Sequence, residues 1–265
     1  MNRIEKRFAD LRAAGQKGFI AYIAAGDPNL AATEQVALAL SGAGVDILEL
    51  GVPFSDPLAD GLVNQLAAQR GLASGTTPNG VFDCVAAIRR ASEIPIVLYV
   101  YYNLIHQRGL ESFVRDAAAA GVDGVLALDL PPEEAADYQR VMASHSLCAI
   151  WLIAPTTPEE RVQTIARLGS GFLYYVSREG VTGMQATLSA GIAPMLSCIR
   201  RHSTLPVAVG FGISNAEQAR AVAAHGEAVV VGSAIVNEMA QMGQDAALPQ
   251  RIAAFVNPLV SAVRN

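Results

Sequence analysis

Glu49 and Asp60 bracket the segment Glu49-Leu-Gly-Val-Pro-Phe-Ser-Asp-Pro-Leu-Ala-Asp60-Gly61. An apolar run from Ile47 to Leu50 leads into it and reads as a buried strand, while Pro53 and Pro57 stiffen the turn beyond. One acid on a strand end and another on the following loop form a general acid/base pair if a substrate sits between them. The same residues also fit plain structural duties, Glu49 in a salt bridge and Asp60 as a helix cap. The chemistry open to the rest of the chain weighs between these readings.

That chemistry is restricted. The only lysines, Lys6 and Lys17, precede the first predicted strand, so no lysine is placed for Schiff-base catalysis. Of the four histidines, His145, His202 and His225 end predicted helices and His106 falls in the loop after the third strand; none clusters as metal ligands do, and no metal is expected. Cys84, Cys148 and Cys198 lie far apart in apolar segments and read as reduced, buried thiols of a cytoplasmic protein. A net charge of −5 with no Lys/Arg-rich run argues against a nucleic-acid partner. No stretch reaches the roughly 18 apolar residues that suggest a membrane span, and the amino terminus reads as an amphipathic helix, not a signal peptide. Carboxylates remain. Asp27 and Asp56 stand directly before Pro28 and Pro57 and read as turn-fixing residues, Asp129, two before Pro131, reads as a support of its own loop, and Asp27 is also able to orient the loop after the second strand.

The elements that must position these groups recur regularly. Short apolar strands are predicted at 19–25, 47–50, 96–101, 124–128, 148–153, 172–176, 207–209 and 228–231. Between them lie helical patterns at 30–41, 81–92, 110–120, 133–144, 158–168, 190–201 and 216–224, with Thr157 and Asn215 as predicted N-caps. Eight continuously apolar strands alternating with helices imply a parallel sheet covered on both faces, and eight strands close a barrel. The expected fold is a single (βα)8 TIM barrel over residues 1–265, with an extra helix at 3–14 against the bottom and a last helix at 249–263. An internal repeat supports it: SGAGVDILELGVPFSDP (41–57) parallels AAAGVDGVLALDLPPEE (118–134). The longest inter-strand intervals carry loops at 52–78 and 177–189, both after the carboxyl end of a strand, where barrels carry their sites.

Two glycine turns, Gly210-Phe-Gly-Ile-Ser214 and Gly232-Ser-Ala-Ile-Val236, follow strands seven and eight and lead into helices. Backbone N–H groups at such a place bind phosphate without a cationic side chain, although plain turns would use the same glycines. Gly180 and Gly183 frame Thr182 in a loop with the hinges of a lid over that phosphate. Tyr22, Tyr99, Tyr101, Tyr102, Tyr174 and Phe211 crowd the same strand ends, suiting a flat apolar ring at the other end of the ligand.

The motifs LELGVPFSDPLADG (48–61), YYN (101–103), LIAPTTPEER (152–161), YYVSREGVTG (174–183), PVAVGFGIS (206–214) and VVGSAIV (230–236) together resemble the tryptophan synthase α subunit family along essentially the whole chain. The resemblance implies a lyase that splits indole-3-glycerol phosphate into indole and glyceraldehyde 3-phosphate by a retro-aldol reaction without a cofactor. It implies that Glu49 moves the protons and that Asp60 holds the indole N–H. It assigns Gly183, Gly212, Gly232 and Ser233 to the phosphate, and Tyr22, Tyr101, Tyr174, Thr182 and Phe211 to the pocket or lid. It also implies docking on a PLP-dependent β subunit in an α2β2 complex. The chain departs from the family pattern at Leu62, Asn64, Tyr99 and Leu128. These leave open a stand-alone indole-releasing lyase and a weakly active subunit that mainly binds and activates the β subunit. A sugar-phosphate isomerase on the same barrel is the remaining enzyme reading.

Overall fold

In the computed structural model, which describes residues 1–176, 185–210 and 212–264, eight parallel strands close into a barrel in sequence order. They are β1 (Gly18–Ala24), β2 (Ile47–Gly51), β3 (Ile96–Val100), β4 (Gly124–Ala127), β5 (Cys148–Ile153), β6 (Leu173–Val176), β7 (Val207–Gly210) and β8 (Ala228–Val231). Pairing of β8 with β1 shuts the sheet. Around it run α1 (Arg3–Ala13), α2 (Leu30–Gly42), α3 (Leu62–Ala73), α4 (Pro78–Arg89), α5 (Tyr102–Arg108), α6 (Leu110–Ala120), α7 (Ala136–Ser144), α8 (Glu159–Leu168), α9 (Gln185–His202), α10 (Ala216–Ala223), α11 (Ser233–Met242) and α12 (Leu248–Arg264). Among the described residues no helix is long and apolar enough to cross a membrane.

Strand alternation divides the core in two. Outward residues such as Leu48, Leu50, Leu98 and Val209 pack under the helices. Inward residues Ile20, Ile47, Val97, Leu126, Ile150 and Ala208 fill the lumen. Ile4, Phe8 and Leu11 of α1 join this inner cluster and plug the bottom, as expected of the extra helix. Asn2 and Glu5 form a capping box that starts α1.

The sequence repeat marks equivalent devices at that bottom face. Asp46 and Asp123 open β2 and β4, and each accepts a backbone N–H from the preceding strand, Phe19 at 2.6 Å and Ile96 at 2.8 Å. Arginines complete both: Arg7 and Arg264 on Asp46, Arg3 and Arg89 on Asp123.

Several expectations change. The interval after β2 is largely helical, with α3 between the acid-bearing loop and α4. His106 lies on α5, not in a loop. Thr157 does not cap α8: Pro158 holds that position, and the Thr157 hydroxyl accepts from Ala154 N–H instead. Asn215 does cap α10, accepting from Gln218 N–H. Thr182, Gly183 and Phe211, and with them most of the expected lid, lie outside the described residues.

Candidate active site

Glu49 sits at the middle of β2, beside Tyr22 of β1 and Val97 of β3 in register. The pleat that sends Leu48 and Leu50 outward turns Glu49 into the lumen. It is 1% exposed, and its Oε1 has no hydrogen-bond partner among the described residues. Burial pushes the carboxyl up to about 8, with the negative charge of Asp60 adding to the effect. The salt bridge of the purely structural reading is absent among the described residues. At neutral pH Glu49 therefore keeps its proton.

Asp60 hangs over the lumen from the loop before α3, half-buried. It caps nothing: Gly61 is the N-cap of α3 and supplies no side-chain bond. Its two oxygens are held by two phenols, Tyr99 Oη on Oδ1 and Tyr101 Oη on Oδ2, each at 2.8 Å. Burial, then the nearby Asp60 charge, raises both phenols above their ordinary range, so they stay protonated donors. Tyr101 Oη also accepts from Ala59 N–H at 2.9 Å.

An aromatic wall surrounds the acids. Tyr22 meets Tyr99 edge-on at 5.0 Å, and Phe54 lies 5.2 Å from Tyr101. Glycines make room for it: a Cβ at Gly51 would strike the Tyr22 phenol, and one at Gly210 would meet Tyr174 Oη at 2.8 Å. Tyr99, Leu128, Leu152 and Tyr174 line a cavity of ≈ 680 Å³ at the barrel mouth. Gly232 reaches the same wall, its α-carbon facing Tyr22 and its carboxyl side leading straight into α11 at Ser233. No side chain caps α11, whereas Asn215 caps α10. Gly212, after β7, takes a positive φ of 58° in open space. This end offers the anion-binding geometry of a helix amino terminus.

Two other top-face acids are tied down. Asp27 is buried and gripped by Arg70 of α3 at 2.8 and 2.7 Å, so it does orient the segment after β2. Asp129 accepts from Tyr102 N–H at 2.6 Å and so ties the loop after β4 to the start of α5. Among the described residues Glu159, Cys198 and His202 approach closely enough to share a metal ion. Arg201 and His202 already converge on Glu159 Oε1 there, which makes the group an ion-pair cluster.

A family model described as tryptophan synthase alpha chain matches residues 8–263. The chain belongs to the tryptophan synthase alpha chain family. A tryptophan synthase alpha chain of Opitutus terrae is 50% identical over 265 residues, all of both chains, and that of Geobacter sulfurreducens is 48% identical with the same coverage. The crystal structure of tryptophan synthase subunit alpha from Legionella pneumophila superposes with a TM-score of 0.91 at 38% identity, covering 99% of this chain and 98% of its own. A Mycobacterium tuberculosis tryptophan synthase chain gives 0.90 at 32% identity, over 100% and 99%.

Within this member of the family, the barrel brings Tyr22, Glu49, Asp60, Tyr101 and Tyr174 together at one mouth, with Gly232 and Ser233 on its β8 side. The sequence places Tyr99 among the strand-end aromatics and the departures from the family pattern, but does not pair it with Asp60, which its hydroxyl touches. The signal was present in strand parity: residues 97, 99 and 101 alternate onto one face, the face that carries Tyr101. Arg70 carries no such signal, because no apolar period in the sequence marks α3 as the helix that aims it at Asp27.

Proposed function

We propose that this chain splits indole-3-glycerol phosphate into indole and glyceraldehyde 3-phosphate, with Glu49 as the acid/base and Asp60 as the ring anchor. The observation that carries this reading is the buried carboxyl of Glu49, protonated at neutral pH, whose Oε1 has no hydrogen-bond partner among the described residues, with the Asp60 carboxylate close enough to act on it electrostatically. A carboxylic acid poised there can give its proton to indole C3. The ring nitrogen then carries positive charge, and its N–H points that charge at Asp60. The Glu49 carboxylate takes the proton of the side-chain hydroxyl next to C3. The carbon–carbon electron pair returns to the ring, neutralising the nitrogen, and the aldehyde departs with the phosphate. Atoms and charge balance, and Glu49 ends protonated as it began.

Tyr22, Tyr101 and Tyr174 would wall the indole, and the uncapped α11 terminus at Gly232 and Ser233, with Gly212, would hold the phosphate. Thr182, Gly183 and Phe211 are assigned to the lid, pocket and phosphate on sequence alone. A β-subunit partner, in an α2β2 assembly, is supported by the top face beside Asp60: Leu58 is 82% and Leu62 68% exposed, an apolar pair that water disfavours. Free thiols at Cys84 and Cys148, both buried, support a cytoplasmic location.

Indole release from indole-3-glycerol phosphate, measured with and without a β subunit, tests the reading. Glu49→Gln, nearly isosteric, should lower turnover by about a thousandfold in both settings. Near-normal turnover in that variant would overturn the mechanism. Full activity of the wild type without any β subunit would favour the stand-alone lyase, and none in either setting a binding subunit.

A further inference from the structure

Tyr99 occupies β3 opposite Gly51 of β2, one pleat above Val97, which pairs with Glu49. That register lifts its side chain into the upper layer of the lumen, where its ring packs edge-on against Tyr22. Its hydroxyl ends on Asp60 Oδ1 while Tyr101 takes Oδ2. Among the described residues no cation touches Asp60, and the nearby guanidinium of Arg70 is spent on Asp27.

We propose that Tyr99 is a positioning residue for the cleavage reaction, fixing the plane of the Asp60 carboxylate, together with Tyr101, before substrate arrives. This rests on the reading of Asp60 as the partner of the ring N–H. A loop carboxylate held at one oxygen still turns about its last torsion, and a second donor removes that freedom. Each carboxylate oxygen can accept more than one hydrogen bond, so an oxygen holding a phenol still has a lone pair for the indole. The choice of phenols over arginine also has a consequence. An arginine would grip harder but neutralise the acid, as Arg70 does for Asp27. Two neutral donors hold the anion and leave its charge for the positive ring formed on C3 protonation.

The test compares wild type, Tyr99→Phe, Asp60→Asn and the double variant in indole release, with high enzyme concentration so that slow variants are read. Tyr99→Phe keeps the ring and loses only the hydroxyl. Its kcat should fall about tenfold, the scale of one hydrogen bond to a charged group, with KM and melting temperature little changed. In the Asp60→Asn background the same change should cost less than about twofold, because the group it positions is gone. Unchanged kcat in Tyr99→Phe overturns the proposal, and so does an equal loss in both backgrounds, which would mark a packing role. Wild-type turnover in Asp60→Asn would instead overturn the underlying reading of Asp60.

Discussion

The barrel carries two pairs of buried or half-buried acids at opposite ends. At the bottom, Asp46 and Asp123 each receive a backbone N–H and two arginines. At the top, Glu49 leaves an oxygen without any partner among the described residues, and Asp60 is held by two neutral phenols. Sequence context does not separate the pairs, since Asp46 immediately precedes β2 and Glu49 follows three residues later at the middle of the same strand. Partners do. A buried carboxylate with cations on it is stable and chemically spent; one without them keeps either a proton to give or a charge to use. The bottom pair recurs with the internal repeat because β2 and β4 each tie their start to the strand before them. The top pair occurs once, as the single reaction proposed for it requires.

The largest effect that would break this contrast lies at the bottom. Asp123→Ala removes the acceptor shared by Arg3, Arg89 and Ile96 N–H and strands a largely buried arginine. A loss of about 4 kcal/mol is expected in denaturant unfolding, with activity per folded molecule unchanged. If stability held and indole release collapsed instead, the division of labour between the two ends would be wrong.

A somewhat smaller effect, of opposite sign, is expected at the top. Below its ordinary value near 4.5, Glu49 is protonated in both folded and unfolded chains. Between there and about 8 only the folded chain keeps the proton, so this group's contribution falls as pH rises and is lost above about 8. Between pH 5 and 8 the wild type should lose about 3 kcal/mol relative to Glu49→Gln. Parallel stability curves for the two proteins would show that Glu49 ionises normally in the fold, removing the basis for its role as a proton donor. The same titration predicts that kcat/KM of the wild type declines above about pH 8.

How much of this contrast was legible without coordinates depended on distance along the chain. Strands read well because both faces are buried, giving unbroken apolar runs such as Cys148–Ile153, which needs no adjustment. The helix Leu110–Ala120 read equally well, with a strong apolar face and Gly121 to stop it. In contrast α3 was invisible: its buried face is Ala67, Ala68 and Gly71, while Leu62 and Leu66 point to solvent, so no apolar period marks it. The short helix α5 buries only Ile105. Glu49 and Asp60 could be singled out because both lysines precede the first strand and the histidines do not cluster in sequence. Their surroundings could not, since Tyr99 and Tyr101 lie about 40 residues beyond Asp60 and meet it only through the pairing of β2 with β3.

Asp27 supplies the sharpest test, because it has the address of one pair and the partners of the other. It stands at the top, at the carboxyl end of β1, yet Arg70 grips both its oxygens as arginines grip the bottom acids. If position decided function, Asp27 would belong to the chemistry; if partners decide, it is a tether for α3. Arg70→Met keeps the stem of the side chain and removes the charge. Because the guanidinium is more than a third exposed, solvent screens the pair, and a stability loss of only about 1 kcal/mol is expected. Loosening α3 also loosens the loop that carries Asp60, so kcat and KM should both shift, staying within about tenfold of wild type. A loss on the scale of Glu49→Gln, with α3 still in place by crystallography, would mean that Asp27 touches the reacting groups and that location outweighs partnership at this end of the barrel.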